Sequence, residues 1–129
     1  MKRIIILLIF SVPLLIFAQS PEKLIADGEF DQAIDKCVDR LEKDRGDKTK
    51  LYAALKQAYE TANDRDVSQI KELKSTGKPN IWYDVFKLYY AIDQRHDMVY
   101  RIKDKLEADR VNIQLIEYPQ DQKVARDNA

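Results

Sequence analysis

Two tyrosines and a lysine fall on one face of a helix that is predicted in the second half of the chain. Tyr83, Lys87 and Tyr90 stand at positions i, i+4 and i+7, which are neighbours on an α-helix. Tyrosine rings can stack against a peptide, and a lysine between them can donate a charge-assisted hydrogen bond to a carboxylate. The spacing therefore predicts a face that binds an acidic peptide. The alternative is that one tyrosine packs against a neighbouring helix and the other is an ordinary half-exposed aromatic residue.

The residue types that most often carry catalysis offer little in this chain. His96 is the only histidine, and it stands in a predicted polar turn with no nucleophile or carboxylate at a catalytic spacing. Cys37 is the only cysteine, and it shares an apolar stripe with Ile34, Val38 and Leu41, which favours a buried thiol over a reactive one. The sequence has no glycine-rich phosphate loop and no metal-ligand cluster. We therefore expect no enzyme, no cofactor and no metal.

Three carboxylates near the first clear helix suggest a calcium loop only at first sight. Asp27, Glu29 and Asp31 alternate along the chain. An EF-hand loop that began at Asp27 would need glycine at its sixth position and glutamate at its twelfth. Those positions hold Gln32 and Val38. The calcium pattern fails, and we predict that these carboxylates cap turns and helices.

Periodic apolar residues predict that the chain is built from helices. Their spacing, together with glycine, proline and polar runs, predicts six helices, over 21–27, 31–45, 49–62, 66–75, 81–93 and 97–109. Polar turns are predicted at 63–66 and 93–96. Loops as short as these favour antiparallel packing of consecutive helices. The sequence therefore predicts an all-α fold.

The last part of the chain has a different pattern. Val111, Ile113 and Leu115 alternate with other residues, which predicts an extended, strand-like segment. Its open edge would pair with another copy, with a partner protein or with a missing C-terminal region; the alternative is an extended segment that lies on the preceding helix. The polar residues 120–129 are predicted to be a mobile tail.

The first eighteen residues have the three-part pattern of a secretory signal peptide. Lys2 and Arg3 precede an apolar run over 4–17, and Ala18 is a small residue at the expected cleavage site. A helix over that run would be about 21 Å long, short of the roughly 30 Å hydrocarbon core. We therefore expect cleavage after Ala18 and an exported protein, periplasmic or secreted. The alternative is that the segment is retained as an N-terminal anchor.

Charge and length limit the remaining classes. Lysine plus arginine equals aspartate plus glutamate at 22 each, and the two signs are mixed along the chain. A nucleic-acid-binding protein needs a basic stripe, and a membrane-surface helix needs a basic amphipathic face. The sequence has neither, so we expect no nucleic acid and no stable membrane span after cleavage. The chain that remains has the length of one domain.

The apolar spacing repeats along the chain. An aromatic residue is followed by an aliphatic residue at i+3 and by tyrosine at i+7, first at Tyr52, Leu55 and Tyr59 and again at Trp82, Val85 and Tyr89. The predicted turns recur at intervals of roughly 30 to 35 residues, which is the period of a two-helix tetratricopeptide repeat.

The chain resembles tetratricopeptide proteins in two segments. Gly28-Glu29-Phe30-Asp31-Gln32-Ala33-Ile34 is similar to the G-x-[YF]-x-x-A-I turn and second helix, and Trp82-x-x-Val85-x-x-x-Tyr89 is similar to the first helix. The whole chain resembles exported bacterial tetratricopeptide-like proteins that have no assigned activity. The resemblance implies a groove lined by first-helix residues off the core stripe, which in this chain are Lys50, Ala53, Gln57, Glu60, Asn80, Tyr83, Lys87 and Tyr90.

Together these patterns predict a short antiparallel helical-hairpin repeat over 19–109, followed by an extended segment and tail over 110–129. The predicted function is that of a non-enzymatic exported module that binds a protein or peptide of the cell envelope. The alternative is a structural subunit of an envelope assembly that oligomerises through its helical core and C-terminal strand. An unrecognised hydrolase is a third possibility, but so few helical hairpins leave little room for a pocket.

Overall fold

The computed structural model of the chain describes residues 19–129, and the predicted signal peptide over 1–18 lies outside them. The predicted all-α class is confirmed, since the described residues form six α-helices and one 3₁₀ turn and contain no strand. The helices are α1 Pro21–Ala26, α2 Phe30–Glu42, α3 Lys48–Ser75, α4 Trp82–Tyr100, α5 Lys103–Ala108 and α6 Pro119–Asn128, and the 3₁₀ turn is Pro79–Ile81.

Local chemistry accounts for both ends of the long helix α3. At its start, the Asp47 side chain accepts hydrogen bonds from the backbone N–H groups of Thr49 at 3.0 Å and Lys50 at 3.3 Å. Such caps satisfy backbone donors that have no partner inside the helix. At its end, Gly77 has a φ of 65°, a left-handed conformation that favours glycine. Pro79 follows and begins the 3₁₀ turn.

Both turns that were predicted inside the helical region are wrong. The stretch 63–66 lies within α3, which continues for 28 residues and is therefore about 42 Å long. The stretch 93–96 lies within α4, and the chain breaks instead at Arg101 and Ile102. Neither stretch contains glycine or proline, and several of its polar side chains are buried with partners. The four separate helices predicted over 49–62, 66–75, 81–93 and 97–109 are thus replaced by α3, α4 and α5.

The core consists of two hydrophobic clusters. The first lies among α1, α2, the first half of α3, the end of α4 and α5, and its fully buried residues include Ile34, Cys37, Leu55 and Val99. The second lies among the second half of α3, the start of α4 and α6, and its buried residues are Ile70, Ile81, Val85, Tyr89, Ile92 and Ala125. The long helices α3 and α4 contribute to both clusters.

Residues 111–118 are extended without forming a strand in the described part of the chain. Ile113 is buried against the first cluster, and Val111 and Leu115 pack at its edge. The Tyr59 hydroxyl holds this segment in place through two hydrogen bonds to Ile116. It accepts one from the Ile116 N–H at 3.0 Å and donates one to the Ile116 carbonyl oxygen at 3.4 Å. The alternation that predicted a strand thus reflects burial against helices.

The predicted mobile tail is a helix. Pro119 opens α6, and Ala125 is buried in the second cluster against α4. The carboxylate of Asp93 on α4 accepts from the Tyr118 N–H at 2.6 Å and from the Gln122 side-chain amide at 2.9 Å. Burial raises the pKa of Asp93, and the Tyr118 N–H opposes that shift. The polar composition of 120–129 belongs to the solvated face of this helix.

The continuity of α3 is tested by replacing the exposed residue Asp64 with proline. Proline inside a helix removes a hydrogen bond and clashes with the preceding turn, at a cost of about 3 kcal/mol or more. We expect Asp64→Pro to lower the free energy of unfolding in urea by at least that amount. Asp64→Ala is the control and should change it by less than about 0.5 kcal/mol. Equal stability of the two variants would indicate a turn at 63–66.

Candidate functional site

A buried polar cluster lies where α3 and α4 pack together. Arg95 on α4 is only 2% exposed. Its Nε donates to Asp31 of α2 at 2.6 Å, and its two terminal nitrogens donate to Asn63 at 3.1 Å and Asp66 at 2.6 Å, both on α3. We call these four residues the Arg95 network. Because it ties three helices to one guanidinium, the Arg95 network fixes their relative positions.

The electrostatics of the Arg95 network keep the guanidinium charged. Burial alone would lower the pKa of Arg95, but hydrogen bonds to Asp31 and Asp66 outweigh it and the pKa is raised. Asp66 is buried, whereas the Asp31 side chain is 60% exposed. Nε and both terminal nitrogens of Arg95 are engaged within the protein. The network is therefore suited to holding helices together, and among the described residues the Asn63 Nδ2 is the buried side-chain atom that has no hydrogen-bond partner.

Sequence reasoning missed the Arg95 network because it placed all three buried polar residues in turns. A signal was present in the spacing. Val85, Tyr89, Ile92 and Val99 form one helical stripe, and Arg95 falls on that stripe between Ile92 and Val99. A stripe that continues through a polar residue indicates one helix with a buried charge.

Removing the guanidinium tests what the network contributes. We expect Arg95→Met to lower the free energy of unfolding by about 3 kcal/mol, because buried Asp66 would lose its Arg95 partner and keep only the exposed Arg65, whose Nε lies 3.2 Å from the Asp66 carboxylate. Arg101→Met is the matched control, since Arg101 is exposed and pairs with Glu42 at the surface. That pair should contribute no more than about 1 kcal/mol. The measurement is urea denaturation followed by circular dichroism.

A second replacement separates loss of packing from loss of pairing. Asn63→Leu and Asp66→Leu added to Arg95→Met should restore much of the lost stability, because the triple variant leaves no buried group of the network unpaired. Equal, small effects of Arg95→Met and Arg101→Met would contradict a structural role for the network.

The residues singled out for partner binding on α4 are all at the surface. Tyr83 is 61% exposed and Tyr90 is 49% exposed, with the exposed Lys87 between them. The Lys87 ammonium lies 4.8 Å from the centre of the Tyr83 ring and 3.4 Å from an Asp84 carboxylate oxygen. The half-buried Phe86 ring lies 6.0 Å from the ring of Tyr90. We call Tyr83, Phe86, Lys87 and Tyr90 the α4 aromatic face.

Four of the other predicted binding residues lie on α3. Lys50, Ala53, Gln57 and Glu60 are exposed on the first half of α3, and Asn80 is exposed in the 3₁₀ turn close to Tyr83. Contacts between Asn63 and Arg95 and between Lys74 and Tyr89 show that α3 and α4 run antiparallel. The α3 group therefore lies opposite the end of α4, about 20 Å along the helix axis from the aromatic face. The four α3 residues therefore do not line a common groove with Tyr83, Lys87 and Tyr90.

The remaining candidates for chemistry are engaged in contacts of their own. The His96 ring stacks on Tyr100 with 5.5 Å between ring centres, and its Nδ1 lies 3.1 Å from Asp97 and 3.5 Å from Glu117. Asp27 pairs with Lys23 at 3.2 Å. Within residues 19–129, no group of three or more histidine, cysteine or carboxylate side chains is arranged to hold a metal ion.

Cys37 is fully buried, and burial raises the pKa of its thiol to about 12. At pH 8 we expect iodoacetamide to modify it only when the protein opens, at least about a thousandfold more slowly than in urea, since reaction needs exposure and the thiolate. Intact-mass spectrometry over time measures both rates. Rapid labelling of the folded protein would contradict the burial of Cys37.

The raised pKa of Cys37 also predicts how stability depends on pH. The unperturbed thiol pKa is 9.0, so this group should lower the free energy of unfolding only as the pH rises from 9.0 towards about 12.

Comparison with known proteins adds no identification. No protein-family model matches the chain, no curated protein is similar to it, and no solved structure matches its fold. Across residues 19–129, none of the helices combines the length and the apolar character that crossing a membrane requires.

Proposed function

We propose that this protein is a non-enzymatic, exported interaction module that binds a protein or peptide partner of the cell envelope through the α4 aromatic face. The observation that carries the proposal is the exposure of Tyr83 and Tyr90 on either side of Lys87. Tyrosine rings offer a large apolar area with few rotatable bonds, so burying them against a partner loses little side-chain entropy. Aromatic residues are enriched at the centres of protein interfaces for this reason.

The chemistry of the face favours an acidic peptide. The Lys87–Asp84 pair is half exposed on both sides, and such a surface pair contributes little to stability. A partner carboxylate can therefore take the place of Asp84 at the Lys87 ammonium at small cost. Meanwhile the Tyr83 ring keeps that ammonium over its face and limits its freedom.

Export and a distant relation to tetratricopeptide proteins complete the proposal. Export is supported by the basic, apolar and small-residue pattern of 1–18. The relation is supported by one helical hairpin, α1 followed by α2. In its turn Gly28 has a φ of 79°, and the motif residues Ala33 and Ile34 are fully buried. The long uninterrupted helices α3 and α4 depart from the two-helix period, so the relation is proposed for this hairpin.

The alternative function, a subunit of an envelope assembly, has one observation in its favour. Among residues 19–129, the backbone N–H groups of 112–115 have no hydrogen-bond partner. An extended segment with free donors can pair with a strand of a second copy. Light scattering coupled to size exclusion decides this alternative, because it requires an oligomer and a monomer would exclude it.

The proposed function is tested with envelope fractions and two matched double variants. Partners captured by the wild-type protein are identified by mass spectrometry and then titrated in purified form. We expect Tyr83→Ala with Lys87→Ala to weaken binding at least about tenfold, since central aromatic residues carry most of the energy of an interface. Tyr100→Ala with Lys103→Ala should leave it unchanged. This control removes a similarly exposed tyrosine at the end of α4 and the lysine that lies over its ring at the start of α5.

Two outcomes would contradict the proposed function. Equal binding by both double variants would exclude the α4 aromatic face as the binding surface. A protein recovered from the envelope fraction with residues 1–18 still attached would contradict cleavage after Ala18.

A further inference from the structure

A second surface of the molecule, where the second half of α3 packs against α4, forms a cleft. The cleft has a volume of about 230 Å³ and lies between the second half of α3 and α4, with Tyr118 closing it at the start of α6. Its lining residues are Val67, Ile70, Lys71, Lys74, Tyr89 and Tyr118. We call it the Lys74 cleft. Two of its six residues carry a positive charge and none carries a negative charge.

The Lys74 ammonium is held in place at this cleft. Its Nζ donates a hydrogen bond to the Tyr89 hydroxyl at 3.0 Å and lies 5.3 Å from the centre of the Tyr89 ring. Within residues 19–129, neither Lys74 nor Lys71 forms an ion pair with a carboxylate. Many other lysines of the chain do form one, including Lys23, Lys43, Lys103, Lys105 and Lys123. The cleft thus presents two cations whose charge the described residues leave uncompensated.

Tyr89 supplies a further donor. Its hydroxyl oxygen accepts from Lys74, so its own proton remains available to a ligand. A carboxylate at this point would meet the Lys74 ammonium and the Tyr89 hydroxyl, with Lys71 nearby. Charge-assisted hydrogen bonds of this kind are about twice as strong as neutral ones.

The floor of the cleft is apolar. Val67 and Ile70 belong to the second hydrophobic cluster or pack against it, and the rings of Tyr89 and Tyr118 lie 5.4 Å apart at an angle of 50°. Such a floor favours an apolar group over a bare inorganic anion, which would leave it in contact with water. The volume is below the range of roughly 300–1,000 Å³ that is usual for drug-sized ligands. The ligand must therefore be small.

We infer that the Lys74 cleft binds a small apolar monocarboxylate, such as a short fatty acid or an aromatic acid. The carboxylate binds to Lys74, Tyr89 and Lys71, and the apolar group rests on Val67, Ile70 and Tyr118. This site is independent of the proposed function, because Tyr89 is buried towards α3 whereas Tyr83, Lys87 and Tyr90 face solvent.

The experiment is a titration of the purified protein with phenylacetate, followed by the backbone amide signals in two-dimensional NMR. We expect saturable shifts at Lys71, Lys74 and Tyr118, with a dissociation constant in the millimolar range that suits so small a ligand. Phenylacetamide is the matched neutral probe, and it should bind at least about tenfold more weakly because it lacks the charge.

Three variants assign the contacts. Lys74→Gln should weaken phenylacetate binding about tenfold, whereas Lys74→Arg should keep most of it because the charge remains. Tyr89→Phe should have an intermediate effect, since it removes the hydroxyl that anchors Lys74. Lys78→Gln is the control, because Lys78 is exposed in the loop after α3 and does not line the cleft. Unchanged amide signals away from the cleft verify that each variant is folded.

The inference is overturned by any of three results. These are equal binding of phenylacetate and phenylacetamide, an unchanged affinity in Lys74→Gln, or shifts that do not saturate. Saturable shifts confined to the signals of Tyr83, Lys87 and Tyr90 would assign the carboxylate to the α4 aromatic face and would equally exclude the cleft.

Discussion

The buried guanidinium of Arg95 is the interaction on which the arrangement of the helices depends. A charge in a protein interior is tolerated only when its hydrogen bonds are made with good geometry. Arg95 meets that condition only if α2 supplies Asp31 while α3 supplies Asn63 and Asp66. Hydrophobic clusters on either side can tolerate small shifts of one helix along another, whereas the guanidinium cannot. The network therefore selects one register of α3 against α4 from several that would bury a similar apolar area.

The same network explains which parts of the fold could be predicted from the sequence. The burial of Ala33, Ile34, Cys37 and Leu41 followed from their spacing, because an apolar stripe on a helix has one way to leave water. The lengths of α3 and α4 did not follow. The local sequence around Asn63 is typical of a turn that precedes a new helix. The burial of Asn63 depends on Arg95, which is far away in the chain. Tertiary contacts decided between turn and helix there.

The candidate sites also differ in whether their residues belong to one helix or to segments that are far apart in the chain. The exposure of Tyr83 and Tyr90 depends on angles around a single helix, so their spacing was sufficient to predict a shared face. A groove shared with Lys50, Gln57 and Glu60 required short helices, and the unbroken α3 separates those residues from the aromatic face. The Lys74 cleft could not be predicted, since Lys74, Tyr89 and Tyr118 come from three segments that only the fold brings together.

The carboxylate of Asp93, which caps the start of α6, has a consequence for the order of folding. It links the middle of α4 to residues that follow some 25 positions later, and the second cluster is complete only when Ala125 has docked. The hydrogen bonds that bring α2 and the first half of α3 to later parts of the chain close longer loops, since Arg95 and Asp31 are 64 positions apart and Tyr52 and Asp109 are 57 apart. A shorter loop costs less entropy to close, and contacts between more distant parts of a chain form later. Docking of α6 on α4 can therefore precede the closure of α2 onto α4 through Arg95.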